Sequence, residues 1–121
     1  MFSFLSRLFG GGAKPTRLSA ADFVARRDAA APVLDVRTPR EFASGHVAGA
    51  VNVDVNAADF ARRIDELADE GLLDRDGPVY LYCRSGNRSS RATRMLVDRG
   101  YVGATDIGGF GSLRAAGVEV E

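Results

Sequence analysis

The run Val79-Tyr80-Leu81-Tyr82-Cys83 constrains this chain more than any other feature. It is apolar and aromatic without a polar break, follows Gly77-Pro78, and suits a central β-strand. Polar residues Arg84 to Arg88 come next. From Ser89 to Arg99, Ala92, Met95, Leu96 and Val97 then stand among arginines at helical spacing, and Gly100 is the expected stop. Strand, loop and helix therefore follow in immediate succession, and Cys83 falls at the C-terminal end of the strand.

The same theme recurs along the chain. Leu18 to Arg27 predicts a short helix with Ser19 as N-cap. Pro32 to Arg37 is a β-branched run whose end delivers Asp35 and Arg37, and Thr38-Pro39-Arg40-Glu41 then reads as cap, proline at the first helical position and acidic first turn. Val51-Asn52-Val53 predicts a strand, residues 57–70 an amphipathic helix through Phe60, Ile64, Leu67 and Ala68, Thr105-Asp106-Ile107 a further strand, and residues 112–116 a closing helix. Alternating elements with short connections imply an α/β fold with a mainly parallel central sheet flanked by helices on both faces.

At 121 residues the chain suits one domain. We place an apolar N-terminal segment and Gly-rich linker at 1–15 and the folded domain at 16–121. As a helix, residues 1–9 would put Phe2, Leu5 and Phe9 on one side, a surface for peripheral membrane or protein contact, yet the segment is too short to span a bilayer. Sixteen basic residues balance sixteen acidic ones, so nothing global favours nucleic acid. One cysteine excludes an internal disulfide and suits a cytoplasmic setting. One cysteine and one histidine give a metal or other cofactor no support.

Ligands of open parallel sheets gather beyond the carboxyl ends of the strands, where Cys83, Asp35 and Arg37 should emerge. The loop from Cys83 to Arg88 leads into a helix N-terminus, whose amides form a cradle for negative charge. Arg84 and Arg88 add positive potential that should favour the thiolate. Gly86 permits the turn, and Ser85, Asn87 and Ser89 can donate or organise hydrogen bonds. A buried, inert cysteine would need none of these neighbours.

Three segments together, Leu34 to Phe42, Gly45 to Asn52 and Cys83 to Ser89, resemble the signature segments of rhodanese-like domains, in order and at the family's separations, within a likeness over about residues 16 to 120. The resemblance implies that Cys83 accepts sulfane sulfur from thiosulfate or a similar donor and passes it to cyanide or to a thiol such as glutathione or a thioredoxin-like protein. It implies that Arg84, Ser85, Gly86, Asn87 and Arg88 bind the donor with help from Arg40. Asp35 and Arg37 then support the architecture behind the loop, while His46, Glu41 and Asn52 serve local structure. Leu113 stands where the family commonly has an aromatic residue and Glu119 replaces a frequent proline, which implies an altered pocket wall.

Two other readings remain open to the sequence. One is a rhodanese-like interaction or sulfur-delivery module anchored by the N-terminal segment. The other, ranked lower, is phosphatase or arsenate reductase chemistry; cysteine phosphatases place one more residue between cysteine and arginine than the four separating Cys83 from Arg88.

Overall fold

The computed structural model of the chain describes residues 14–121. The expected helix at 1–9 and nearly all of the Gly-rich linker lie outside the described residues. Five strands, β1 (Thr16–Arg17), β2 (Val33–Asp35), β3 (Val51–Asn52), β4 (Pro78–Cys83) and β5 (Gly103–Gly109), form one parallel sheet in the order β1-β5-β4-β2-β3. The helices are α1 (Ala20–Arg26), α2 (Pro39–Ala43), α3 (Phe60–Asp69), α4 (Asn87–Asp98) and α5 (Phe110–Ala115). The α/β architecture with a parallel sheet is as expected. Among the described residues, no helix is long and apolar enough to cross a membrane.

β4 lies at the middle of the sheet, and its alternation sorts the core into two layers. Val79, Leu81 and Cys83 pack with Ile64 and Leu67 of α3 and Ala92 and Leu96 of α4. Tyr80 and Tyr82 pack on the opposite face with Phe23 of α1 and Leu113 of α5. Burying a leucine or isoleucine side chain contributes about 1.5–3 kcal/mol. Leu81, Ile64 and Leu96, all at 0% exposure, therefore fasten β4 to the two long helices.

Local chemistry sets most boundaries. The Ser19 hydroxyl accepts from the Asp22 amide at 3.1 Å and caps α1. Thr38 and Glu41 form a reciprocal capping box around Pro39 at the start of α2. α3 begins at Phe60 rather than Ala57, because residues 54–59 turn instead: Asp54 Oδ1 accepts from the Asn56 amide at 2.9 Å and the Asp54 carbonyl from the Ala57 amide at 3.1 Å. α4 begins at Asn87, two residues before the sequence suggested, so Asn87 and Arg88 belong to its first turn rather than to the loop.

Two features carried no periodic signal. β1 has only two residues, paired with Thr105 and Asp106 of β5. The passage Gly45 to Ala48 meets the chain end, with His46 and Glu121 exchanging backbone hydrogen bonds of 3.1 and 2.8 Å.

Tyr82 joins these parts. Its hydroxyl donates to Asp35 Oδ2 at 2.7 Å and accepts from the Val47 amide at 2.9 Å. Burial first, and then the hydrogen bond to the Asp35 carboxylate, push the phenol's pKa up, so the hydroxyl remains a donor. Tyr82→Phe leaves the buried Val47 N–H without a partner. It should destabilise the fold by about 1–3 kcal/mol, read as a lower urea midpoint with an unchanged m-value.

Candidate active site

Cys83 ends β4 with 1% of its surface exposed. The Gly86 amide donates to Sγ at 2.9 Å, and Ser89 Oγ lies 3.3 Å from the same sulfur. Only Arg84, Ser85 and Gly86 separate the strand from α4. Gly86 sits at φ +101°, in the left-handed region that favours glycine, and there the chain turns from the loop into α4. The loop also rests on Gly109 of β5, where an added Cβ would lie 2.6 Å from the Arg84 carbonyl oxygen.

Burial pushes the Cys83 thiol up. Hydrogen bonds with the Ser89 side chain and from the backbone amides of Ser89, Gly86 and Ser85 pull it down and prevail, leaving its pKa below the ordinary value. The lowering causes are thus hydrogen bonds, which the sequence suggested through the loop amides, and not the arginines it named beside them. Beneath Ser89, its Oγ lies 2.8 Å from Asp106 Oδ1, and Asp106 accepts from the Gly108 amide at 2.9 Å. Asp106 is 4% exposed, and Arg17 Nε stands 3.5 Å from Oδ2. An acid inside the short predicted strand at 105–107 was the one sequence sign of this support.

The arginines divide sharply. Arg88 Nη1 and Nη2 donate to the two Glu41 carboxylate oxygens at 2.7 and 2.9 Å. Glu41 Oε1 also accepts from the Thr38 amide and hydroxyl, each at 3.1 Å. The Arg88 guanidinium, opposed by partial burial, holds the Glu41 carboxyl down to about 2, with the Thr38 bonds assisting. Glu41 therefore does more than the local capping the sequence assigned. Arg84 is exposed and has no hydrogen bond or ion pair among the described residues. Ser85 and Asn87 are exposed beside it. Arg40 is exposed on α2 and does not line the cleft beside the loop; Glu41, its neighbour, takes that place.

Asp35 and Arg37 form a buried ion pair at the end of β2. Arg37 Nε and Nη2 bind the Asp35 carboxylate at 2.6–3.1 Å, and Nη2 also donates to the Gly45 carbonyl at 2.7 Å. The guanidinium lies 4.6 Å from the Phe110 ring centroid. Asn52 Nδ2 donates to the Asp35 and Arg37 carbonyls at 3.0 and 2.9 Å. His46 packs locally: Nδ1 lies 2.9 Å from the Phe42 carbonyl and the ring stacks on Phe42 at 3.7 Å.

A cleft of about 410 Å³ is lined by Arg37, Glu41, Ser44, Arg84, Phe110 and Gly111. Leu113 does not line it. It is 0% exposed within the core of the α1 and α5 face, so the wall role expected at that position falls to Phe110, which the sequence did not single out. A second cleft, of about 420 Å³, runs along the other side of the loop past Ser85, Gly86, Arg17 and Ser112.

Residues 19–114 match the Rhodanese-like domain family. The chain belongs to that family. Its relatives place this rhodanese-like protein among sulfurtransferases. It is 35% identical over 96 residues to thiosulfate sulfurtransferase GlpE of Pseudomonas entomophila, covering 78% of this chain and 80% of that one. It is 38% identical over 82 residues to the chloroplastic thiosulfate sulfurtransferase 16 of Arabidopsis thaliana, covering 64% and 68%. A rhodanese-like domain from Anabaena sp. superposes with a TM-score of 0.70 at 22% identity over 89% of this chain and 79% of that one, which shows the shared fold. A rhodanese-related protein of Thermoplasma volcanium superposes with a TM-score of 0.62 at 29% identity, over 88% and 97%.

Two outcomes follow for this site. Ser89→Ala removes the hydroxyl hydrogen-bonded to Cys83 Sγ, one of the contacts that lower its pKa, so the Cys83 pKa should rise and alkylation by iodoacetamide at neutral pH should slow, its pH–rate midpoint moving upward. Glu41, depressed from 4.5 to about 2 in the fold, contributes stability that is complete above 4.5 and lost as pH falls through about 2. Glu41→Gln should therefore flatten the acid limb of stability against pH, measured by urea unfolding at a series of pH values.

Proposed function

We propose that the protein transfers sulfane sulfur through a persulfide on Cys83. The observation that carries this reading is the sulfur held at the base of its loop with the Gly86 N–H 2.9 Å away, ahead of the twelve-residue helix α4. Fixed amides and a helix N-terminus stabilise a negative sulfur without reorganising when it forms.

The thiolate attacks the outer sulfur of a donor such as thiosulfate. The new S–S bond forms as the donor's own S–S bond breaks, and sulfite leaves with the bonding pair. Cys83 now carries the terminal sulfur as a persulfide anion. Cyanide or a thiolate then attacks that sulfur, forming thiocyanate or a new persulfide, and the Cys83 thiolate is regenerated. The chain has no second cysteine, so the acceptor comes from outside: glutathione or a thioredoxin-like protein fits this role.

The arrangement of Arg88 speaks against phosphatase or arsenate reductase chemistry. An attacked phosphoryl group needs a guanidinium turned toward its equatorial oxygens. Arg88, in the first turn of α4, is bound bidentate to Glu41 instead.

Intact-mass measurement after thiosulfate treatment should show an adduct of one sulfur atom, discharged by cyanide. Cys83→Ser should show none. A wild-type protein that stays unmodified under these conditions would sink the proposal.

A further inference from the structure

The charges around the sulfur sum to less than the arginine-rich sequence suggests. Arg37 is bound to Asp35 and Arg88 to Glu41, each through two nitrogen–oxygen contacts or more. Among the described residues lining the cleft beside the loop, Arg84 alone is a cation without an anionic partner. A donor approaching the Cys83 thiolate therefore meets one uncompensated guanidinium, the loop amides and the helix terminus. Glu41 and Asp106 cancel against Arg88 and Arg17, so two negative charges on the donor would face the thiolate with one unpaired guanidinium between them. One negative charge is matched by Arg84. The cleft also presents the Phe110 ring, held by the Arg37 guanidinium at 4.6 Å and the Tyr82 ring at 6.0 Å. An apolar substituent can lie there, whereas an inorganic dianion cannot use it.

We infer that Glu41 is a specificity-determining residue that withholds Arg88 from the substrate, and that the site is matched to monoanionic organic donors of sulfane sulfur, persulfides or thiosulfonates, over the thiosulfate dianion. The inference rests on the persulfide reading of Cys83. For a thiosulfonate the step balances as before: the thiolate takes the terminal sulfur, the donor's S–S bond breaks, and an organic sulfinate departs with the electron pair. Glutamine at position 41 can still complete the capping box with Thr38, so Glu41→Gln removes the charge while keeping the helix start.

The test compares kcat/KM for thiosulfate and for benzenethiosulfonate with cyanide as acceptor, each divided by that donor's own rate with a small free thiol. The native protein should favour benzenethiosulfonate on this scale. E41Q frees Arg88 and should raise kcat/KM for thiosulfate about tenfold, the scale of a charge-assisted hydrogen bond, while benzenethiosulfonate changes by much less. Arg88→Gln leaves the Glu41 charge uncompensated and should move the ratio the opposite way. A native preference for thiosulfate, or a ratio that these substitutions leave unmoved, overturns the inference. Failure of both donors to load Cys83 in the mass measurement rejects the persulfide reading instead, so the two failures are distinct.

Discussion

The hydrogen bond from the Gly86 amide to the Cys83 sulfur organises the site because the backbone has no slack in which to lose it. β4 ends at the sulfur and α4 begins at Asn87, so three residues reverse the chain. Gly86 at φ +101° makes that reversal possible, and Gly109 keeps clear the space into which the Arg84 carbonyl packs. An amide positioned this way stabilises an anion without the rotamer entropy that a long arginine must lose, and without the ionic screening that weakens an exposed guanidinium. Hence the thiol's pKa falls through hydrogen bonds, even though burial opposes it and arginines stand nearby.

Behind the loop, a second group of buried polar atoms fixes the strand ends from which the site is built. Asp35 and Arg37 are 0% and 5% exposed, and a buried ion pair is costly unless its remaining hydrogen-bonding capacity is used. Here it is used. Tyr82, the Gly45 carbonyl and the Arg37 backbone amide complete the set, and Phe110 covers the guanidinium face. With the end of β2 fixed, Thr38 arrives where it can cap α2, and α2 places Glu41 opposite Arg88. The strand-end pair is thus linked to Arg88, at the start of α4, through a helix of five residues.

Much of this was legible in the sequence because it depends on local rules. The β4 run, the Thr38 capping box, the Gly86 turn and the sheet's parallel character all follow from residue type and spacing over a few positions. What was not legible depends on contacts between distant segments. Two residues of β1 carry no period, and Arg88 gives no sign in sequence that Glu41, forty-seven positions away, will claim it. Leu113 shows the same limit from the other side. Its place where the family commonly has an aromatic residue suggested a pocket wall, but the phase of α5 turns it into the core and leaves Phe110 at the cleft. The resemblance to rhodanese-like domains pointed to the Cys83 loop; the partner of each charge came only from the fold.

Charge at the mouth of the site is consequently a property of α2 as much as of the loop. An exposed ion pair holds its partners weakly, commonly for less than about 1 kcal/mol, and alone would not keep Arg88 from an incoming anion. Glu41 is held more firmly than such a pair implies, since Oε1 also receives the Thr38 amide and hydroxyl. To release Arg88 toward a ligand, the carboxylate would have to be left with an unmatched charge while still bound to its own helix start. On the inference that Glu41 withholds Arg88, the capping interaction that begins α2 sets the threshold an anion must exceed to recruit the second arginine, and local folding and choice of substrate are then one problem.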